Sequence, residues 1–164
     1  MVSEDKLKVL MIEDSEQEAE QISLLLAKGG FQTEYLRVAA AESFKVALLS
    51  QYWDLILSDY DFPQLTAQEA LRIIHETKHE IPLIILSSRV GEEAAEHIMA
   101  LGAYDFMLKH NPARLIPAIR RVLNEAMNYQ RFITARNALQ KSEALFQAIT
   151  ANLPGVVFQF LLTN

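Results

Sequence analysis

Five short strand-like runs separated by helix-period segments, four of them apolar and leading straight into a polar or charged residue and one, Phe31–Val38, only weakly alternating, constrain this chain more than any other feature. Lys8–Ile12, Phe31–Val38, Leu55–Ser58, Ile81–Ser88 and Asp105–Leu108 have strand lengths and sit between turn signals and acids. Between them, Glu16–Lys28 places Ile22, Leu25 and Leu26 on one helical face and stops at Gly29-Gly30. Ala40–Leu49 turns Phe44, Ala47 and Leu48 inward, and Thr66–Glu76 does the same with Ala70, Ile73 and Ile74. Glu92–Leu101 opens on acids, as the helix dipole favours, and ends before Gly102. Strands alternating with helices predict a parallel sheet covered on both faces, here a compact doubly wound α/β fold. In such sheets ligands bind beyond the carboxyl ends of the strands.

The charge is unevenly divided. Residues 1–110 carry 9 Lys/Arg against 19 Asp/Glu, and residues 111–164 carry 6 against 2. The acidic part would repel nucleic acid, and the basic part is too diluted by Ala and Leu to serve as a nucleic-acid arm. With no cysteine, the chain has no disulfide, no thiol chemistry and no Cys-zinc site. No apolar run approaches the roughly 20 residues a bilayer span requires. The acidic N-terminus does not resemble a signal peptide, so a cytoplasmic location is expected.

The chemistry lies where the strands end. Glu13-Asp14 follows the first strand, Asp59 the third, Ser87-Ser88 the fourth and Lys109 the fifth. In a parallel sheet all four ends share one edge. Three carboxylates gathered there raise one another's pKa unless a cation sits among them. Oxygen-only donors suit Mg²⁺, which completes its shell with water and phosphate oxygens. Lys109 then offers a positive charge and Ser87 a hydroxyl to an incoming phosphoryl group, for which a carboxylate is a competent covalent acceptor. Each acid alone would merely cap a helix or face solvent; four matching strand ends point to a site.

These motifs resemble the receiver domain of two-component response regulators over residues 8–125. Val9-Leu-Met-Ile-Glu-Asp-Ser is similar to that family's first strand and acidic pair, and Leu57-Ser-Asp-Tyr-Asp-Phe-Pro to its phosphoacceptor strand. Leu86-Ser-Ser and Gly102-Ala-Tyr-Asp-Phe-Met-Leu-Lys are similar to its switch strand and final strand. The resemblance implies a flavodoxin-like sheet of order 2-1-3-4-5 followed by an extended C-terminal helix. It also implies that Asp59 is phosphorylated by a histidine kinase or phosphotransfer protein. Asp14 would ligate Mg²⁺ directly, Glu13 largely through water, and Asp61 through its backbone carbonyl. Ser87 would rotate toward the phosphoryl group while Phe106 moves inward as the aromatic switch.

Several residues depart from that pattern. His110 follows the lysine where a cis-proline is usual, and a cis non-proline bond costs roughly 2.5–4 kcal/mol. Phe106 replaces the commoner tyrosine, and Ala67 stands where glycine is usual. Asp61 and Arg89 could form an ion pair beside the site. His75 and His79, four apart on a helix, lack a third metal ligand and read as a solvated face. Trp53 and Tyr52 precede a buried strand and read as core or rim.

From about Leu115 one long helix is expected, with Pro117 in or near its first turn. Leu115, Ile119, Val122, Ala126 and Tyr129 step by threes and fours, as do Phe132, Ala135, Leu139, Ser142, Phe146 and Ile149, with a change of phase between the two series. Beyond residue 125 this stripe suits a helical linker, 126–151, that either pairs as a homodimer or folds back on its own domain. Leu139-Gln-Lys-Ser-Glu-Ala-Leu-Phe-Gln-Ala-Ile and Asn152-Leu-Pro-Gly-Val-Val-Phe resemble the entry to a PAS sensory domain, so that 152–164 would be its truncated start. Such parents often end in a histidine kinase or a diguanylate cyclase.

Two other functions share these residues. A receiver-like module could keep the fold and dimerise without phosphorylation, against which the intact acidic, serine and lysine positions argue. A small Mg²⁺-dependent phosphatase could use Asp59 with Asp61 as general acid, but no cap segment is visible. The receiver itself is not expected to be a stand-alone enzyme.

Overall fold

The apolar runs become strands β1 (Leu7–Ile12), β2 (Thr33–Val38), β3 (Leu55–Asp59), β4 (Leu83–Ser87) and β5 (Asp105–Leu108), hydrogen-bonded in the order β2-β1-β3-β4-β5. Every pairing is parallel. The connections are helices α1 (Glu16–Lys28), α2 (Ala41–Ser50), α3 (Ala67–Thr77) and α4 (Glu92–Ala100), and α5 (Pro112–Ala151) follows the last strand. This is the flavodoxin-like sheet with a long C-terminal helix. The structure, a computed structural model, describes residues 6–77, 80–89, 91–109 and 111–151. His79, His110 with the Lys109–His110 peptide, and the expected PAS start at 152–164 lie outside the described residues.

Strand alternation divides the core into two layers. Leu10, Ile12, Ile56 and Ile85 pack with Phe44 and Leu48 of α2, Ile73 and Ile74 of α3 and Ile98 of α4. Val9, Met11, Leu57, Ile84 and Leu86 face the other way, onto Leu26 of α1 and Leu115, Ile119 and Val122 of α5. Burial on both faces explains why β3 and β4 are almost wholly apolar rather than alternating. Each such Leu or Ile contributes about 1.5–3 kcal/mol when fully buried. At the sheet edge, β2 leaves Glu34, Tyr35 and Leu36 exposed.

Helix ends follow local chemistry. The Ser15 hydroxyl accepts the Glu18 N–H at 3.2 Å and caps α1. After α4 the chain turns through Gly102, whose φ of 107° lies in the region that side chains resist and whose N–H donates to the Met99 carbonyl at 3.0 Å. Gly102→Ala is therefore expected to cost about 1–2 kcal/mol in urea denaturation. A built Cβ there comes only to ordinary contact with His75, 3.4 Å from its Nε2, so the penalty is conformational rather than steric.

Helix α5 begins earlier than its periodicity predicts. The run starts at Pro112, a favoured first helical residue, and this moves Pro117 into the helix interior. There it has no N–H for the carbonyl four residues earlier, a loss the expected later start would have avoided.

The chain comprises two compact units, Met1–Ala126 and Met127–Asn164. In the first, Leu115, Ile119 and Val122 are core residues of the sheet domain rather than part of an intermolecular seam. In the second, Phe132, Leu139 and Phe146 are 61%, 59% and 66% exposed. The first series is thus anchored in the sheet domain's core, whereas these residues of the second are exposed. Among the described residues no helix is long and apolar enough to cross a membrane.

Candidate functional site

Parallel pairing carries the ends of β1 and β3 to one edge, since Ile12 lies opposite Ser58. Glu13 follows β1 and is buried, Asp14 is exposed, and Asp59 closes β3 half-buried. Carboxylate oxygens of these three residues all lie within 4.8 Å of one another. Arg37, near the end of β2, donates to the carbonyls of Glu13 and Asp14 at 3.0 and 3.2 Å and so braces the acidic loop from its far side.

The fifth strand completes the cluster. The Lys109 N–H donates to the Ser87 carbonyl at 2.9 Å, which aims the side chain back across β4. The ammonium pairs with Glu13 Oε2 at 2.9 Å and Asp59 Oδ2 at 3.0 Å, and also with the carboxylate of Glu18. Burial alone would depress the lysine's pKa, but hydrogen bonds to Glu18, Glu13 and Asp59 outweigh it and hold the group firmly protonated. Burial pushes the Glu13 carboxyl above its ordinary value, against the pull of Lys109 and of the Ser15 N–H.

A buried carboxylate under that strain, beside two others and with only oxygen donors, fits a hard divalent cation. Glu13, Asp14 and Asp59 would hold Mg²⁺, which supplies charge neutralisation to a phosphoryl group.

The remaining predicted residues fall around this centre. Asp61 is exposed, and its N–H donates to Asp59 Oδ1 at 3.2 Å. Ser87 is buried at the end of β4; its hydroxyl donates to the Arg89 carbonyl at 2.7 Å and accepts the Arg89 N–H at 3.2 Å. Its hydroxyl proton is thus committed to its own loop. Phe106, half-buried, meets Tyr60 edge-on at 5.5 Å and 73°. Among the described residues no ion pair joins Asp61 to Arg89, so the expected pair does not form; the Asp61 amide donates to Asp59, and the Arg89 backbone bonds to the Ser87 hydroxyl. Ala67 is the first residue of α3. Trp53 is core and Tyr52, 72% exposed, is rim.

Sequence reasoning missed two participants. Glu18 was readable from Ser15-Glu16-Gln17-Glu18, whose ends match a capping box and place an acid in the first turn of α1. Arg37 carries no motif; only the β1–β2 register, with Met11 opposite Arg37, brings it beside the acidic loop.

The response regulator receiver domain family matches residues 9–120. The chain is 28% identical over 160 residues to the cell cycle response regulator CtrA of Brucella anthropi, covering 94% of this chain and 68% of that protein. It is 33% identical over 103 residues to the CtrA of Brucella ovis, covering 63% of this chain and 44% of that one. The fold is similar to the receiver domain of sensor histidine kinase PA1611 from Pseudomonas aeruginosa PAO1, solved with a magnesium ion coordinated in its active site cleft. That likeness has a TM-score of 0.62 at 24% identity over 73% of this chain and 99% of that one. It is also similar to the N-terminal domain of a response regulator/sensory box/GGDEF 3-domain protein from Carboxydothermus hydrogenoformans. There the TM-score is 0.63 at 23% identity, over 74% of this chain and 98% of that one.

Proposed function

Because the chain belongs to the response regulator receiver domain family, we propose that Asp59 accepts a phosphoryl group from a histidine kinase or phosphotransfer protein and signals through the C-terminal helix. The observation that carries this reading is the convergence of Glu13, Asp14 and Asp59 oxygens within 4.8 Å, with the Lys109 ammonium 3.0 Å from Asp59.

An Asp59 carboxylate oxygen attacks phosphorus; the new P–O bond forms as the P–N bond of the donor phosphohistidine breaks, and the departing imidazole recovers a proton from solvent. The Asp61 N–H and Lys109 share Asp59's negative charge before transfer, and Lys109 afterwards faces the phosphoryl oxygens. Ser87 can donate to that group only by releasing the Arg89 carbonyl, which makes its rotation the first coupled movement in the strand β4 loop. Phe106, edge-on to Tyr60 next to the acceptor Asp59, is the second. Such a domain is a relay rather than a stand-alone enzyme, with a cytoplasmic location.

Beyond Ala126 the exposed apolar stripe through Phe132, Leu139, Phe146 and Ile149 supports pairing with a second copy. The motif at 139–158 supports a PAS domain after the helix, in a longer parent with a kinase or cyclase output.

The reading is tested by incubating the full chain with acetyl phosphate and Mg²⁺ and comparing intact mass with Asp59→Asn. The parent should gain the mass of one phosphoryl group and the variant none. An unchanged parent, or an equal adduct on both, would refute Asp59 as the acceptor. Steady phosphate release without an adduct would indicate the phosphatase instead.

A further inference from the structure

An ammonium has three N–H donors, and all three of Lys109's have carboxylate partners: Glu13, Asp59 and Glu18. An incoming phosphoryl group must displace one of them to use this cation. Glu13 is enclosed and Asp59 is the acceptor itself, whereas the Glu18 side chain is 44% exposed on the first turn of α1. Glu18 is therefore the partner most free to leave.

The structure also shows where it would go. Ser15 caps α1 and Glu18 is the third helical residue, so a complete capping box would return the Glu18 carboxylate to the Ser15 N–H. Only half of that box is made. The Ser15 hydroxyl accepts the Glu18 N–H, but the Ser15 N–H donates to Glu13 Oε1 at 3.1 Å instead. Glu13 has taken the donor that local helix chemistry assigns to Glu18, and Glu18 has turned to Lys109. A cavity of about 350 Å³ lined by Gln21, Lys28 and Lys109 borders the Glu18 side chain, which is therefore not packed in place on that side.

Resting on Asp59 as the phosphoacceptor, we propose that Glu18 is a two-position carboxylate that regulates the availability of Lys109. On Lys109 it withholds the ammonium from the phosphoryl group. On the Ser15 amide, once Glu13 gives that donor up, it completes the cap and frees the ammonium. The acceptor site is thereby restrained by a residue that neither receives the phosphoryl group nor belongs to the acidic triad.

Two variants of the full chain test this. Glu18→Gln can still complete the cap but no longer holds Lys109 by charge; Glu18→Ala can do neither. In metal-free protein with ¹⁵N-labelled lysine, the Lys109 Nζ resonance should move in both variants and its protons should exchange faster with water. With acetyl phosphate and Mg²⁺, Glu18→Gln should gain its adduct about fivefold faster than the parent, equivalent to ~1 kcal/mol. An unmoved Lys109 resonance would overturn the restraint. So would an unchanged or slower adduct rate in Glu18→Gln beside a parent that labels normally. Absence of any adduct on the parent would instead strike at Asp59 as acceptor, and the Lys109 resonance would then decide whether Glu18 holds the ammonium.

Discussion

Lys109→Met should destabilise the metal-free protein by about 3 kcal/mol near neutral pH, the penalty of leaving a buried carboxylate without its ion partner. The pair in question is enclosed, with side-chain exposures of 11% for Lys109 and 3% for Glu13. Burial already raises the Glu13 pKa, and Lys109 opposes that rise, so its removal should raise the value further. A carboxyl whose folded pKa exceeds its unfolded one favours the fold fully below the unfolded value. That contribution is lost as pH climbs through the folded pKa. The deficit of Lys109→Met should therefore shrink on acidification through that range and reach its full size above it. Urea midpoints measured across a pH series would show this, and a deficit that did not vary with pH would contradict it. Adding Glu13→Gln to Lys109→Met should recover much of the loss. Adduct formation should fall by roughly a hundredfold, as when an enzyme loses one charge-stabilising donor.

A loss of similar size should follow Trp53→Ala, far from the chemistry. The residue is 1% exposed and packs in the layer between the sheet and α2 and α3. Truncating a buried aromatic to alanine typically costs 3–5 kcal/mol, from lost transfer energy and the cavity left behind, and about 4 kcal/mol is expected here. The indole also does polar work. Its Nε1–H donates to the Ala47 carbonyl at 2.9 Å, a last-turn acceptor of α2 that also receives the Ser50 hydroxyl at 2.7 Å. Trp53→Phe should keep most of the packing and lose only that bond, about 1 kcal/mol. Because the chain has a single tryptophan, both variants are best followed in urea by far-ultraviolet circular dichroism rather than fluorescence. Equal losses in the two variants would place the cost in the hydrogen bond rather than in the volume.

The sheet was readable from sequence because its central strands β3 and β4 are rich in Ile and Leu and its helices carry apolar stripes; Phe44, Ala47 and Leu48 face inward as their spacing predicts. The acidic triad and Lys109 were readable for a related reason: parallel topology sends every strand end to one edge, so linear position becomes spatial proximity. What was not readable depends on side-chain choice among competing partners. Glu18 had two competing donors, the neutral Ser15 amide that its capping-box spacing offers and the charged Lys109 ammonium from a distant strand end, and local spacing does not show that the second takes it. Asp61 and Arg89 have opposite charges at suitable positions, yet among the described residues no ion pair joins them, and only their backbone groups are engaged in the neighbouring loops. The start of α5 differs because Leu115 is its first core residue, whereas Ala113 and Arg114, already helical, are exposed and carry no apolar signal of burial.

Arg37 stands on the outermost strand, which has a hydrogen-bonded neighbour on one side only. The loop bearing Glu13 and Asp14 is thus moored to the margin of the sheet, while Asp59 issues from its middle. Fraying that begins at this rim would slacken the cation-binding half of the pocket while the phosphate-receiving half still stood, giving the two halves unequal resistance to heat.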